Sequence, residues 1–206
     1  MIGIIDYGIG NIQAFANIYR RLNISVKLAQ TPQDLVDCDK LILPGVGAFD
    51  WAMQKLIQSG LRDQLDDLVL NQNRPILGVC VGLQMMARRS DEGQLEGLGW
   101  LDAEVRRFDD SQFQSSTHLP HMGWNDVRSV SPGGLFTLID AAQFYFLHSY
   151  YFLANNPAQV LATTDYGGSF TSAAQRENIC GVQFHPEKSH QSGVQLLKNF
   201  AEIELC

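Results

Sequence analysis

Residues 1–90 alternate between short apolar segments and amphipathic segments. Four runs of mostly branched aliphatic residues predict strands: IGII, SVKLA, KLIL and PILGV. Between them, helical periodicity or helix-start signals occur over residues 11–23, 31–38, 50–58 and 61–71. Strands that alternate with helices predict a parallel sheet with helices on both faces. Such a sheet binds ligands beyond the carboxyl ends of its strands, so the loops that leave these strands are the first candidates for a functional site.

The second half has a different pattern. The segments LDAEVRRF, GWNDVRSV, QFYFLHSYYFL and AQVLATTDY are strand-like, and residues 169–187 predict a hairpin that turns near Glu177 and Asn178. An amphipathic helix is predicted over residues 191–204. No repeat, low-complexity tract or linker separates the two halves. We therefore expect one α/β domain over residues 1–206, with an antiparallel extension.

Charge and residue usage restrict the class of partner. The net charge of −7 argues against nucleic acid or an anionic membrane as the main partner. The sequence has neither a signal-peptide pattern nor an apolar run long enough to span a bilayer, so a cytoplasmic location is expected. The four cysteines are irregularly spaced, which does not suit a disulfide framework. His118 and His121 form an H-x-x-H pair, but no Glu or Cys at ligand spacing completes a metal site.

The pentapeptide GVCVG, residues 78–82, places Cys80 between the fourth strand and a helix predicted over residues 82–89. It has the form Gly-x-nucleophile-x-Gly of a nucleophile elbow. A nucleophile on so sharp a turn adopts strained backbone angles, and glycines two residues before and after it avoid a collision. The amino end of the following helix favours a thiolate. The alternative is a buried structural cysteine beside two packing glycines.

The segment GVQFHPEKS contains a possible base for such a nucleophile. His185 and Glu187 are two residues apart near the end of a predicted strand, so their side chains should point the same way. A carboxylate there could accept the imidazole N–H and stabilise the imidazolium. A histidine in isolation is more often solvated or satisfied within the core, and only the combination with Cys80 favours a catalytic role.

Two glycine-containing loops follow predicted strands. In PGVG, residues 44–47, no Lys-Ser/Thr pair follows, which excludes a P-loop. The loop could instead supply an oxyanion hole through Gly45, Val46 and Gly47, with a second donor from Val81. The other loop, GIGN, has Gln13 at the third glycine position of a dinucleotide fingerprint, so nucleotide binding is rejected there.

Seven motifs together make the chain resemble the class I, triad-type glutamine amidotransferases: IIDYGIGN, LPGVGAF, GVCVGLQ, SDEGQLEGLGW, LPHMGWN, FYFLHSY and GVQFHPEKS. The elbow and FHPE are general in that family. DYGxGN, PGVGAF and PHMGWN are narrower signals and resemble the glutaminase subunits of imidazole glycerol phosphate synthases. The resemblance implies a flavodoxin-like fold with a central, mostly parallel sheet. Neither a cofactor nor a metal is expected.

The resemblance also implies roles for individual residues. Cys80, His185 and Glu187 would form the catalytic triad that hydrolyses glutamine through a thioester. Four further residues would bind glutamine, with Glu92 as the partner of its α-ammonium group: Gln84, Glu92, Ser149 and Tyr150.

In the resembled subfamily, the ammonia passes to a (β/α)₈ cyclase within a heterodimer. The cyclase makes imidazole glycerol phosphate and an aminoimidazole carboxamide ribotide during histidine biosynthesis. The docking face would include Asn11, Trp124 and Lys188. The glycines of PGVG suggest that the Gly45–Val46 peptide rotates and completes the oxyanion hole only when the partner docks.

One alternative to that function remains open at the level of sequence, and two others are disfavoured. A sister branch supplies ammonia to a sugar amidotransferase in surface-polysaccharide synthesis, and FHPEKSHQSG, with His190 after the Lys–Ser pair, resembles that branch. A regulatory subunit without catalysis would lack a triad residue, whereas all three are present. A peptidase of the same fold is disfavoured by Gln84 and Glu92.

Overall fold

A computed structural model describes residues 1–113, 117–130, 133–139 and 142–204. The strands of these residues are β1 (Ile2–Ile5), β2 (Val26–Ala29), β3 (Lys40–Gly45), β4 (Ile76–Cys80), β5 (Ala103–Arg107), β6 (His121–Asp126), β7 (Arg128–Ser129), β8 (Gln143–His148), β9 (Tyr150–Ala154), β10 (Val160–Asp165), β11 (Ser169–Arg176) and β12 (Ile179–Val182). The α-helices are α1 (Ile12–Arg21), α2 (Pro32–Val36), α3 (Phe49–Gln58), α4 (Arg62–Asp66), α5 (Val81–Met85) and α6 (His190–Glu202).

Eight of the strands form the central sheet, in the order β2-β1-β3-β4-β12-β11-β10-β7. The first five of these are mutually parallel, and the last three continue the sheet in antiparallel fashion. Two separate antiparallel pairs, β5-β9 and β6-β8, complete the strands. This is the expected mostly parallel sheet with an antiparallel extension. The order places β4 between β3 and β12, so the ends of these three strands meet at one edge.

Helices cover both faces because the chain reverses its direction across the sheet. The connection from β1 to β2 runs one way and the connection from β2 to β3 runs the other way, past β1. Right-handed crossovers therefore put α1 and α2 on opposite faces. The helix α1 packs against α6, where the Tyr19 hydroxyl donates to the Leu197 carbonyl at 3.0 Å. On the other face, α2 packs against α4 and α3 against α5.

Local sequence signals set several element boundaries. Thr31 and Asp34 form a reciprocal capping box at the start of α2, with Pro32 in the first turn. The hairpin of β11 and β12 turns at Glu177, whose φ is +53°. The helical segment predicted over residues 61–71 consists of α4 and a π-helical turn, Asp67–Asn71.

Three predicted elements differ from the structure. The segment GWNDVRSV is interrupted at Val127, since β6 pairs with β8 whereas β7 pairs with β10. The helix predicted over residues 82–89 is shorter in the structure, where α5 ends at Met85. The carbonyl oxygens of Met85, Met86 and Ala87 accept the backbone N–H groups of residues 98, 101 and 99, so they are not available to continue the helix. QFYFLHSYYFL is interrupted at Ser149, since β8 pairs with β6 whereas β9 pairs with β5. Within the described ranges, the search for a helix of membrane-spanning length and apolarity finds none.

Candidate active site

Cys80 is the last residue of β4 and immediately precedes α5. Its φ and ψ are 55° and −112°, a positive φ that residues with a side chain rarely adopt. Gly45 at the end of β3 is its register partner on one side, and β12 lies on the other side of β4. The thiol is therefore held at the edge where three parallel strands end. Its backbone has the strain expected of a nucleophile elbow.

The two glycines of the elbow are required by close contacts on both sides of Cys80. A Cβ atom at Gly82 would overlap the backbone carbonyl oxygen of Leu43 on β3. A Cβ atom at Gly78 would lie 2.8 Å from the backbone nitrogen of Leu83 and 2.9 Å from the carbonyl carbon of Gly82. Gly78 thus avoids a collision across the turn, as expected. Gly82 has a different reason, the close approach of the neighbouring strand.

His185 and Glu187 are in direct contact. The His185 Nδ1 atom lies 2.9 Å from Glu187 Oε1, and the two side chains are 3% and 2% exposed. The alternation of a strand does not bring them together, since β12 ends at Val182 and Glu187 lies in the 3₁₀ turn Pro186–Lys188. The prediction of the contact was correct and its geometric basis was wrong.

The electrostatics of His185 favour the imidazolium. Burial by itself would lower the pKa of His185, but the charge of Cys80, a hydrogen bond with that residue and the Glu187 carboxylate outweigh burial and raise the pKa above its ordinary value. His185 is therefore linked to the sulfur on one side and to the carboxylate on the other. This order, sulfur–imidazole–carboxylate, can perform nucleophilic catalysis with a proton transfer at Nε2.

A cavity of about 290 Å³ opens above Cys80. It is lined by Val46, Gly47, Cys80, Val81, Gln84, Glu92, Pro120, Leu147, His148, Ser149, Tyr150, His185 and Lys188. Most of the residues singled out in the sequence therefore face one space. Gly45 and Glu187 are not in this lining: Gly45 pairs with Cys80 below it, and Glu187 lies behind His185. No group of three His, Cys, Asp or Glu residues in the described ranges could hold a metal ion.

Glu92 is fixed at the mouth of this cavity by the start of α3. Its Oε2 atom accepts the backbone N–H of Phe49 at 2.9 Å. Burial raises the pKa of Glu92, the Phe49 N–H opposes that shift, and nearby Asp50 adds to it. Asp50 in turn accepts the backbone N–H groups of Gln94 and Leu95 at 2.9 and 3.0 Å. The loop that carries Glu92 is thus tied to α3 through two carboxylates.

The PGVG loop is held at its first residue by a contact with Tyr7, which follows β1. The buried Tyr7 hydroxyl donates to the Pro44 carbonyl at 2.6 Å, and burial raises the pKa of Tyr7. Gly47 has a φ of +84° and packs over the Trp51 ring. Val46 between them is 37% exposed. The loop is therefore anchored at Pro44, while its tip faces the cavity and solvent.

The three residues expected at a docking face are all exposed. Trp124 stacks on His190 with ring centroids 5.0 Å apart, and its other neighbour is the Tyr145 ring. The Lys188 ammonium lies 5.6 Å from the centre of the same Tyr145 ring. Trp124 and Lys188 therefore belong to one surface next to the cavity. Asn11 is exposed at the start of α1.

Sequence reasoning missed three buried polar residues beside the site. His148 lines the cavity, and its Nε2 atom lies 3.0 Å from Nδ1 of His121. Burial lowers the pKa of His121 to about 4 and that of His148 to about 3, so both rings are neutral near pH 7. Gln183 is fully buried and directs its Nε2 atom toward Cys80 Sγ at 3.8 Å. The sequence signal for them is the H-x-x-H pair, which contains His121.

Comparisons with known proteins agree with this geometry. The family model "Glutamine amidotransferase class-I" matches residues 3–203. A Bdellovibrio bacteriovorus protein named imidazole glycerol phosphate synthase subunit HisH is 53% identical over 98% of this chain and 100% of its own. A Leptospira borgpetersenii protein of the same name is 50% identical over the same shares. A crystal structure of a glutamine amidotransferase has a TM-score of 0.76 and 19% identity, with 98% of this chain and 97% of that chain covered.

Proposed function

Because the chain belongs to the class I glutamine amidotransferase family, we propose that it hydrolyses L-glutamine to glutamate and ammonia and delivers the ammonia to a cyclase subunit for histidine biosynthesis. The observation that carries the chemistry is the sulfur of Cys80 on its strained turn, linked to His185 and through it to Glu187. The full-length relatives that are named HisH support the pathway. Residues 1–206 act as one glutaminase domain, and its location is the cytoplasm.

The reaction proceeds in two halves. The Cys80 thiolate attacks the side-chain amide carbon of glutamine, and the Val81 N–H with an N–H of the Gly45–Gly47 loop stabilises the oxyanion. The His185 imidazolium gives its Nε2 proton to the departing ammonia, which leaves a thioester. Water, deprotonated by the same nitrogen, then attacks the thioester, and glutamate and the thiolate are released. Glu187 keeps the proton on His185 Nδ1 throughout.

Four residues of the cavity would select glutamine. The Glu92 carboxylate pairs with the α-ammonium group, and Gln84, Ser149 and Tyr150 contact the remaining polar atoms of the substrate. Glutamine differs from glutamate by one N–H donor group, so a cavity lined by acceptors distinguishes the two.

The partner is a cyclase of the (β/α)₈ class, bound through the surface that contains Asn11, Trp124 and Lys188. The exposed tip of the PGVG loop next to this surface supports a coupling between docking and catalysis. Rotation of the Gly45–Val46 peptide on docking would bring its N–H into the oxyanion hole. The isolated chain would then lack one of two donors.

We expect the purified chain alone to release glutamate slowly, and the cyclase subunit to accelerate it about 100-fold, since one oxyanion donor is worth about that factor. The measurement is glutamate release by the chain alone, with the cyclase and with a sugar amidotransferase. A Cys80→Ala chain with the cyclase is the control. Full turnover without a partner would contradict the docking switch, and acceleration only by the sugar amidotransferase would contradict the pathway.

Replacing Asp50 by alanine should raise the KM for glutamine about tenfold, because the loop of Glu92 loses two backbone hydrogen bonds. The kcat should change little, since Asp50 does not contact the reacting atoms. Steady-state kinetics with the cyclase bound measure both constants. Asp63→Ala, an exposed substitution on α4, is the matched control. An unchanged KM with a reduced kcat would refute a role of Asp50 in substrate binding.

A further inference from the structure

A directed chain of hydrogen bonds runs from β6 to the cavity. Asn125 starts the chain, because its Oδ1 atom accepts the Asp126 N–H at 2.8 Å and its Nδ2 atom donates to the Asp165 carbonyl at 2.9 Å. These two bonds fix which end of the amide carries the hydrogens. The same Nδ2 atom lies 3.1 Å from Nε2 of His121, which must therefore be an acceptor.

The direction set at Asn125 determines the tautomers of both buried histidines. With Nε2 of His121 accepting, its proton is on Nδ1 and is donated to Nε2 of His148. Nε2 of His148 is then also an acceptor, so its proton is on Nδ1 and is donated to the Tyr150 carbonyl at 2.8 Å. A second proton on either ring would place two N–H groups against each other.

The Tyr150 carbonyl links this chain to Gln84. It accepts a second hydrogen bond from Gln84 Nε2 at 2.9 Å, and the other N–H of that amide is donated to Gln183 Oε1 at 3.1 Å. Both donors of the Gln84 amide are thus used by the protein. Its Oε1 atom accepts none of the hydrogen bonds found among the described residues, and Gln84 lines the cavity. The Gln84 amide is therefore held in one orientation, with its Oε1 atom available in the cavity as a hydrogen-bond acceptor.

We propose that Asn125, His121 and His148 form a positioning relay that holds the Tyr150 carbonyl as an acceptor and thereby locks Gln84 with its oxygen available to an N–H group of the substrate. The proposal rests on the glutaminase function for its kinetic consequence. None of the three relay residues contacts the reacting atoms, so each is a positioning residue.

A purely structural role for the histidines is the competing explanation. His121 lies between the rings of Tyr166 and Phe146, with centroids 3.8 and 4.6 Å away, and could serve the core by stacking alone. Stacking, however, does not depend on the tautomer. It also predicts no coupling to Gln84, so the two explanations differ in measurable ways.

The first test uses the free protein and does not need activity. In ¹⁵N-histidine NMR spectra at pH 7, His121 and His148 should both be neutral with the proton on Nδ1, whereas a free neutral imidazole favours Nε2–H. Exposed His118 and His190 provide the reference signals. A proton on Nε2 of either buried ring, or a cationic ring, would overturn the relay whether or not the chain is a glutaminase.

The second test uses two substitutions of nearly equal shape in the complex with the cyclase. His148→Asn keeps an N–H near the position of Nδ1, and His148→Leu removes it. We expect His148→Leu to raise the KM for glutamine about tenfold with kcat nearly unchanged, and His148→Asn to stay within about threefold of wild type. Equal KM values for the two variants would overturn the proposal.

A double substitution tests whether the relay acts through Gln84. If it does, Gln84→Ala combined with His148→Leu should have the KM of Gln84→Ala alone, within about twofold. Multiplicative effects would show independent roles and overturn the relay. Thermal unfolding of each variant shows whether it is folded. If a variant is misfolded, its kinetics are set aside and the tautomers measured by NMR in the wild-type protein decide whether the relay exists. A wild-type complex that does not hydrolyse glutamine would refute the proposed function and leave the tautomer test as the measure of the relay.

Discussion

A Cys80→Ala chain bound to the cyclase should release glutamate at less than about one thousandth of the wild-type rate, the loss expected when a covalent nucleophile is removed. The fold should survive, because the thiol occupies a cavity edge and its removal leaves the register of β4 with β3 and β12 intact. Cys38→Ala, a substitution of another buried cysteine remote from the cavity, should retain activity. Substantial turnover by Cys80→Ala would refute the nucleophile assignment.

At Cys80, glycine should give a more stable protein than alanine, the reverse of the usual order. A strained backbone conformation costs about 1–3 kcal/mol, and glycine adopts a positive φ without that cost but loses about 0.5–1 kcal/mol of stability through backbone entropy. We therefore expect Cys80→Gly to exceed Cys80→Ala in free energy of unfolding by about 1 kcal/mol.

The control for that comparison is Cys38, which does not have a positive φ. There, glycine should be the less stable replacement by about 0.4–1 kcal/mol, so the sign of the difference is opposite. Chemical denaturation of the four variants measures both differences. If glycine were less stable than alanine at both positions, strain at Cys80 would not be the explanation.

The sequence was most informative where the physics is local. The capping box of Thr31 and Asp34 and the turn at Glu177 depend on neighbouring residues, and both were predictable. The elbow at Cys80 also combines a short-range glycine pattern with strand–helix alternation. Such features need no knowledge of which distant segment packs against them.

The features that escaped prediction depend on contacts between distant segments. The shortness of α5 follows from carbonyls that bond to residues 97–101, and the break at Ser149 follows from different strand partners. His121 and His148 are 27 residues apart and meet only because β6 pairs with β8. The contact can be predicted only when the pairing register of the two strands is known, and the sequence alone does not give that register.

Gly82→Ala should be among the most destabilising single-methyl substitutions in this chain. The new methyl group would overlap the Leu43 carbonyl oxygen. That carbonyl cannot move away, because Leu43 is paired with Gly78 of β4 and its strand, β3, lies between β1 and β4 in the central sheet. Overpacking in a core costs about 1–3 kcal/mol, and a collision with backbone lies at or above the upper end of that range. We expect a loss of about 3 kcal/mol or more in the free energy of unfolding.

Gly78→Ala should cause a smaller loss in the free energy of unfolding than Gly82→Ala. Its methyl group would meet the Leu83 nitrogen and the flexible end of Met86, both at 2.8 Å, so part of the contact can be relieved by moving a side chain. The loss should therefore be nearer 1–2 kcal/mol, in the middle of the same range. Chemical denaturation would measure both variants, and a Gly78→Ala loss that equals or exceeds that of Gly82→Ala would contradict this ranking.

The two substitutions should also differ in how they affect catalysis. The Gly82 methyl group pushes β3 away from the start of α5, which separates the PGVG loop from the Val81 N–H and misplaces both proposed oxyanion donors. Losing one such donor costs about 10²–10³ in kcat. In the complex with the cyclase, folded Gly82→Ala protein should therefore lose at least about 100-fold in glutaminase kcat. Full activity in that variant would mean that the β3–α5 approach serves stability alone, and the oxyanion donors would have to come from elsewhere in the cavity.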